Sequence, residues 1–341
     1  MRNRNGEREI LKTPASLLPD SPTLTLRLTA ALGRDGQERR PVKILRRTLP
    51  PFMCTFPNEI VTCRLPDGHR RRVFIKYQTG QSHDCFGHRG NVPYETEVYR
   101  RVLHPLADFR PKYLGAHTDP NTGNISLFLE CVHRSIRASD IVRKRTARQP
   151  RALGQAACWI GQFHAEHGER INDPSLAFLR HYGAEYYRGW AQRTLEFSRP
   201  LHGRFPWLTI LCGTDEWFAP LLAEPQTVIH GEFYAKTILV QNQRVFIVDW
   251  ESAAIAAGEI DLAALTEGKH WPASVVQKCE RAYVRARWRE GAPPSFRRTL
   301  DAARIYLHFR WLGERPDWTL REKSLSRYEH LHASAKRLGL I

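Results

Sequence analysis

The sequence predicts an α+β fold in two lobes, a small, mainly antiparallel β lobe followed by a larger helical one, and three observations predict it. Residues 41–77 hold three runs rich in β-branched and aromatic residues, with a tight Asp67-Gly68 turn between the second and third, the pattern of adjacent antiparallel strands. Apolar residues return at helical spacing through Ala156–His164 and again after Asp261. At 341 residues the chain is longer than a single hydrophobic core usually serves, so two lobes are expected. The divisions read from the sequence are an N-terminal extension over residues 1–40, the β lobe over 41–132 and the helical lobe over 133–341.

Residues 1–40 mix charge, proline and glycine, and Thr23-Leu24-Thr25-Leu26-Arg27-Leu28 alternates in the manner of an extra edge strand. The strands of the β lobe are expected at Val42–Leu45, Glu59–Leu65 and Arg72–Tyr77. The loop from Thr48 to Pro57 has no glycine, so it lacks a glycine-rich phosphate cradle; its backbone amides and hydroxyls such as Thr55 are left for that task. Lys76 falls near the end of the third strand, and an inward-pointing lysine needs an anionic partner. Val92–Leu103 opens on a proline and carries apolar residues on one helical face; Glu95 lies close to that face and Glu97 off it. Between them, residues 78–91 hold His83, Asp84, Cys85 and His88 among three glycines, the composition of a flap. Asn124–Val132 reads as an apolar strand. His133–Arg151 carries seven basic residues against Asp140 alone, a solvated helix face or an anion-binding rim. Residues 168–225 are rich in tyrosine and tryptophan with acids and arginines near balance, which suits a packed core or a mildly polar acceptor. Leu300, Ala303, Leu307 and Trp311 share one helical face, bounded by Pro293-Pro294 before it and Gly313 after it.

The helical lobe is organised around residues 228–251. Two apolar runs, Val228 to Val240 and Val245 to Val248, flank a four-residue polar tip at Gln241-Asn242-Gln243-Arg244, which reads as a β-hairpin with a longer loop. Such a ribbon brings Glu232 and Asp249 to one end. Two carboxylates on rigid supports suit metal-assisted phosphoryl transfer, in which one orients the attacking hydroxyl and the other holds Mg2+ on the phosphates.

At these residues the chain resembles the aminoglycoside phosphotransferase and choline kinase group, which has a bilobal protein-kinase-like fold. That family carries His-Gly-Asp, an Asn five residues after the Asp, and a strand ending in a metal-binding Asp. His230, Gly231, Glu232, Thr237 and Asp249 fall on those positions, with Glu in place of Asp and Thr in place of Asn. Gly258-Glu259-Ile260-Asp261-Leu262-Ala263 is similar to the family's following segment, whose Asp braces the catalytic loop. The resemblance implies a nucleotide-binding β lobe, a hinge near 130–134 and a helical lobe with the catalytic loop and acceptor site. By the same resemblance, Lys76, paired with Glu95, is expected to take the place of the lysine on the ATP phosphates, and Glu130 and Val132 to bind adenine through main-chain atoms. The resemblance also implies Glu232 as the catalytic residue, Asp249 and Thr237 as the Mg2+ ligands, and His230 and Asp261 as supports of the loop. The exchanges at 232 and 237 lengthen one side chain and shorten its neighbour. Either they offset one another or the chain is a nucleotide-binding pseudokinase, a scaffold without turnover.

Composition bounds the partners. Lysine plus arginine is 52 against 35 acids, a net charge of +17, and such a field attracts anions: ATP or GTP, phosphorylated or carboxylated acceptors, or nucleic acid. No nucleic-acid motif is present, which disfavours that partner. The charge also disfavours a polycationic acceptor and favours a neutral or anionic small-molecule hydroxyl. The seven cysteines are odd in number and widely spaced, without Cys-x-x-Cys, which argues against a disulfide framework or zinc. No run reaches the length of a membrane helix, and the charged N-terminus is not a signal peptide, so a cytoplasmic protein is expected.

Overall fold

The structure of the protein is a computed structural model, and it describes residues 18–32, 41–50, 55–79, 86–104, 106, 108–143, 149–267 and 271–341. His83, Asp84 and Cys85 of the flap, and residues 144–148 of the basic run, lie outside the described residues. The chain divides into two compact units, Met1–Ser135 and Ile136–Ile341.

The first unit contains α1 (Ser21–Leu32), β1 (Lys43–Thr48), β2 (Asn58–Arg64), β3 (Arg70–Tyr77), α2 (Val92–Glu97, continuing as a wider π turn over Val98–Leu103), β4 (Tyr113–Thr118) and β5 (Ile125–Glu130). The strands form one antiparallel sheet in the order β1-β2-β3-β5-β4. The segment Thr23–Leu28 is helix α1 and not an edge strand. A period of two and a period of 3.6 coincide at every fourth residue, and a cap decides between them: the Thr23 amide donates to Asp20 Oδ1 at 2.7 Å. Leu24 and Leu28 are buried accordingly, while Leu26 is 72% exposed. They join Val61, Val73, Ile75 and Phe128 in the core of this unit. Helix α1 lies against β4, where Gly115 (φ +147°) has no Cβ to meet the Ala31 carbonyl oxygen, 2.8 Å from where that atom would sit.

The second unit opens on β6 (Ile136–Arg137) and α3 (Ala138–Arg143), followed by α4 (Gln149–Glu169), β7 (Arg180–His181), α5 (Ala184–Phe197), α6 (Trp207–Cys212) and α7 (Ala219–Ala223). Then come β8 (Gln226–Ile229), β9 (Ile238–Gln241), β10 (Arg244–Ile247), β11 (Ala254–Ala257) and α8 (Glu259–Thr266). Helices α9 (Ala273–Arg287), α10 (Phe296–Leu312), α11 (Pro316–Thr319) and α12 (Leu325–Arg337) complete it. β10, β9 and β6 form one small sheet and β7, β11 and β8 another. The β9–β10 hairpin pairs Gln241 with Arg244 around a two-residue tip, Asn242-Gln243, both at positive φ as the tightest hairpins require. Helix α10 is the spine of the unit, with Leu300, Ala303 and Leu307 fully buried against its neighbours. Among the described residues no helix is long and apolar enough to cross a membrane, and Cys63, Cys131, Cys158, Cys212 and Cys279 are free thiols.

Candidate active site

In the first unit, Lys76 lies in β3 opposite Leu127 of β5, and its side chain is buried. Helix α2 is started by Asn91, whose side chain accepts the Tyr94 amide at 2.9 Å, and this places Glu95 in its first turn. Lys76 Nζ meets Glu95 Oε2 at 2.7 Å, with 2% and 1% of the two side chains exposed. A buried charge is tolerated only when paired and hydrogen-bonded, so each of these residues holds the other in place. Glu97 instead sits at the surface with Arg100 at 2.8 Å and Arg101 at 2.6 Å. At the end of the sheet, the Glu130 amide donates to the Lys112 carbonyl at 2.9 Å, and the Val132 carbonyl accepts from Ser135 Oγ at 2.8 Å.

In the second unit the loop between β8 and β9 is tied around Asp261. This aspartate sits in the first turn of α8 and is fully buried. Its Oδ2 accepts the His230 amide at 2.6 Å and its Oδ1 the Gly231 amide at 2.9 Å. His164 on α4 approaches Oδ2 through Nε2 at 3.2 Å and faces the Tyr283 hydroxyl through Nδ1 at 3.0 Å. Burial pushes the His164 pKa down to about 4 against the pull of the Asp261 charge, so the ring is neutral near pH 7. A neutral ring donates from one nitrogen and accepts at the other, and the carboxylate takes the donor. The His230 ring bonds at both nitrogens: Nδ1 accepts the Glu232 amide at 3.2 Å, and Nε2 donates to the Val248 carbonyl at 3.0 Å. Gly231, at φ +78°, lies so close to Ser252 that a Cβ would run into its carbonyl oxygen.

Thr237 closes the loop. Its hydroxyl is within 2.9 Å of the Glu232 and Tyr234 carbonyls, and its own carbonyl accepts the Val248 amide at 3.0 Å. The next residue, Asp249, is in the left-handed region (φ 72°, ψ 58°). That conformation costs a residue other than glycine about 1–2 kcal/mol, and it persists where surrounding bonds determine it, as those to Val248 do here. Asp249 remains partly exposed. His230, Glu232, Thr237 and the Val248-Asp249 pair thus belong to one hydrogen-bonded knot centred on Asp261.

The Glu232 side chain is buried and faces two cations, Arg310 Nη1 at 3.3 Å from Oε1 and Lys236 Nζ at 3.6 Å from Oε2. Arg310 also meets Glu314 at 3.3 Å and donates to the Tyr234 hydroxyl. Burial alone would pull the Arg310 pKa down, but the Tyr234 oxygen and the two carboxylates outweigh it and hold the guanidinium well above its usual value. Sequence reasoning did not single out Arg310 or the His164–Asp261 bond. The available signals were an arginine one turn beyond Leu307 on the apolar face that Leu300, Ala303 and Leu307 mark, and a histidine at the end of the apolar Ala156–Phe163 run. The Asp249 carboxylate and the Thr237 hydroxyl are hard oxygen atoms of the kind Mg2+ takes, and an oxygen of the Asp249 carboxylate lies within 4.8 Å of one of Glu251.

No family model matches the sequence, and no curated protein sequence does. Similarity lies in the fold, which is the kinase-like α+β fold of choline kinases and aminoglycoside phosphotransferases. The choline kinase from Cryptosporidium parvum Iowa II superposes with a TM-score of 0.57 at 13% identity, over 94% of this chain and 98% of that one. APH(2")-IIa, in its gentamicin complex, gives 0.56 at 10% identity over 92% and 96%. The amicoumacin kinase hAmiN, solved with AMP-PNP, Ca2+ and Ami, gives 0.50 at 11% identity over 94% and 93%.

Proposed function

We propose that the chain is a phosphotransferase that moves the γ-phosphate of ATP to a hydroxyl of a small molecule. The acceptor oxygen bonds to the γ-phosphorus as the bond to the β–γ bridging oxygen breaks. ADP leaves with that electron pair, and the hydroxyl proton passes to solvent. Lys76, held by Glu95, contacts the α- and β-phosphates, and main-chain atoms around Glu130 and Val132 meet the adenine. Asp249, with Thr237 as a weaker second ligand, holds Mg2+, which neutralises charge on the phosphates when bound. Glu232 orients the acceptor hydroxyl. Arg310 and Lys236 face its two oxygens and hold the carboxylate in the orientation from which it accepts the hydroxyl's hydrogen bond. A loose phosphoryl-transfer transition state asks mainly for positioning and charge stabilisation, which is what such a residue supplies. The acceptor is neutral or anionic rather than polycationic, and the setting is the cytoplasm.

The observation that carries this reading is the Asp261 brace, which holds the His230 and Gly231 amides at 2.6 and 2.9 Å and so fixes the backbone that presents Glu232. Solved kinases of the same fold, one of them bound to AMP-PNP, support it. The test is calorimetric binding of Mg·ATP and Mg·GTP to the wild type and Lys76→Met, joined to a phosphorylation screen of sugars, nucleosides, amino alcohols and antibiotics. The expected result is nucleotide binding weakened at least tenfold in the variant, with turnover of one acceptor class. The absence of wild-type binding refutes the reading. A second reading, a nucleotide-binding scaffold, is favoured by one feature: both Glu232 oxygens already face cations. Nucleotide binding without turnover of any acceptor would establish it.

A further inference from the structure

Close to the Glu232 loop, α12 carries a cation that the fold leaves without an acid. Its neighbours are all matched. Arg310 has Glu232 and Glu314, Lys236 has Glu232, and Arg304 has Glu267, Glu280 and Asp301. His308 and His330 share Glu267. Among the described residues, no ion pair or hydrogen bond reaches the guanidinium of Arg327. It lies over Trp311 instead, 3.7 Å from the ring centroid. Trp311 packs against the Tyr234 ring at 5.6 Å, and Tyr234 hydrogen-bonds Arg310, which meets Glu232. A short chain of touching side chains therefore links Arg327 to the carboxylate that orients the hydroxyl. Tyr234, Trp311 and Arg327 are each partly exposed, so all three present surface to a ligand.

Burial pulls the Arg327 pKa down to about 10, the like charge of Arg310 adds to that, and the Tyr234 oxygen, Glu267 and Glu314 only partly counter it. This is the behaviour of a cation withdrawn from water with too little negative charge nearby.

We propose that Arg327 is the anion-recognising residue of the acceptor site, so that the phosphorylated hydroxyl belongs to a small molecule carrying a carboxylate or phosphate group. The inference rests on the phosphotransferase reading, because it takes Glu232 as the place where the hydroxyl is oriented. The planar fork of arginine suits both anions, since it can donate two parallel hydrogen bonds to either. Tyr234 and Trp311 offer an aromatic wall to the body of the molecule. The net charge of +17 steers anions toward the protein, and a quaternary ammonium or polyamine acceptor would meet the unmatched charge of Arg327.

The test uses the full chain with Mg·AMP-PNP present. Binding is measured for two matched sets, glucose with glucuronate and glucose 6-phosphate, and glycerol with glycerate and glycerol 3-phosphate. In at least one set the wild type is expected to bind an anionic member at least tenfold more tightly than the neutral one. Whether the carboxylate or the phosphate member leads identifies the group. Arg327→Gln is expected to remove the difference, and Arg327→Lys, which keeps the charge, to retain part of it. Equal wild-type affinity for neutral and anionic members in both sets, or an anion preference that persists in Arg327→Gln, overturns the inference. Phosphoryl transfer is scored separately as ADP release with Mg·ATP in the same samples. An intact anion preference without any transfer refutes the phosphotransferase reading while leaving the anion site standing.

Discussion

Asp261→Asn is the sharpest perturbation of the loop, because it changes one charge and almost no volume. The carboxylate serves three donors, the His230 amide at 2.6 Å, the Gly231 amide at 2.9 Å and His164 Nε2 at 3.2 Å, and it is fully buried. An asparagine keeps one acceptor oxygen and turns an NH2 group toward the remaining donors. Hydrogen bonds to a charged group contribute about 1.5–3 kcal/mol each, and a buried donor left unpaired costs about 1–3 kcal/mol. Since one or two bonds survive in weaker form, the expected loss is about 3–5 kcal/mol. For a unit of this size each kcal/mol lowers Tm by roughly 2–4 °C, so the variant should melt on the order of 10 °C earlier. Turnover should fall about 10²-fold, the effect of a displacement of about 1 Å at the reacting group. Scanning calorimetry and ADP release with Mg·ATP measure the two quantities. A Tm within about 2 °C of the wild type together with unchanged turnover would refute the reasoning, because both consequences follow from the same three bonds.

Gly231→Ala forces a side chain into the left-handed region and onto the Ser252 carbonyl, so stability should fall by at least about 1–2 kcal/mol in urea unfolding, and turnover with it. The pH dependence follows from His164. Its folded-state pKa, about 4, lies below the usual 6.5, so protons bind the unfolded state more readily. The stabilisation is complete above about pH 6.5 and is lost as the pH falls toward 4, about 3 kcal/mol in all. Urea unfolding at stepped pH should show that decline in the wild type and a shallower one in His164→Asn.

Local pattern carried much of this structure. β2, β3 and the start of α2 were legible because alternation and a proline start are written within a few residues. The hairpin was legible only in part, since Val228 and Ile229, read as the opening of its first strand, lie in β8 and pair with β11, and Gln241 and Arg244, read as part of its tip, are paired residues of β9 and β10. The alternating Thr23–Leu28 run misled because the choice between strand and helix lay with Asp20, just outside it. β4 was not anticipated: Tyr113-Leu114-Gly115-Ala116-His117-Thr118 has a bulge and a central glycine whose purpose is the approach of α1, a tertiary fact. At the candidate site, the spacing from His230 to Asp249 and the Asp261 segment stood out in the sequence. The partners that set the electrostatics did not. Arg310 reaches Glu232 across 78 residues and His164 reaches Asp261 across 97, separations that no local periodicity encodes.

The central claim is that Asp249 and Glu232 serve magnesium-dependent transfer from ATP. It is tested most directly by steady-state ADP release with Mg·ATP and the best acceptor from the screen, comparing the wild type with Asp249→Asn. Mg2+-dependent release that falls at least 10²-fold in the variant, with the melting temperature held, is the predicted result. Equal rates in the two proteins, or release that ignores Mg2+, would contradict it.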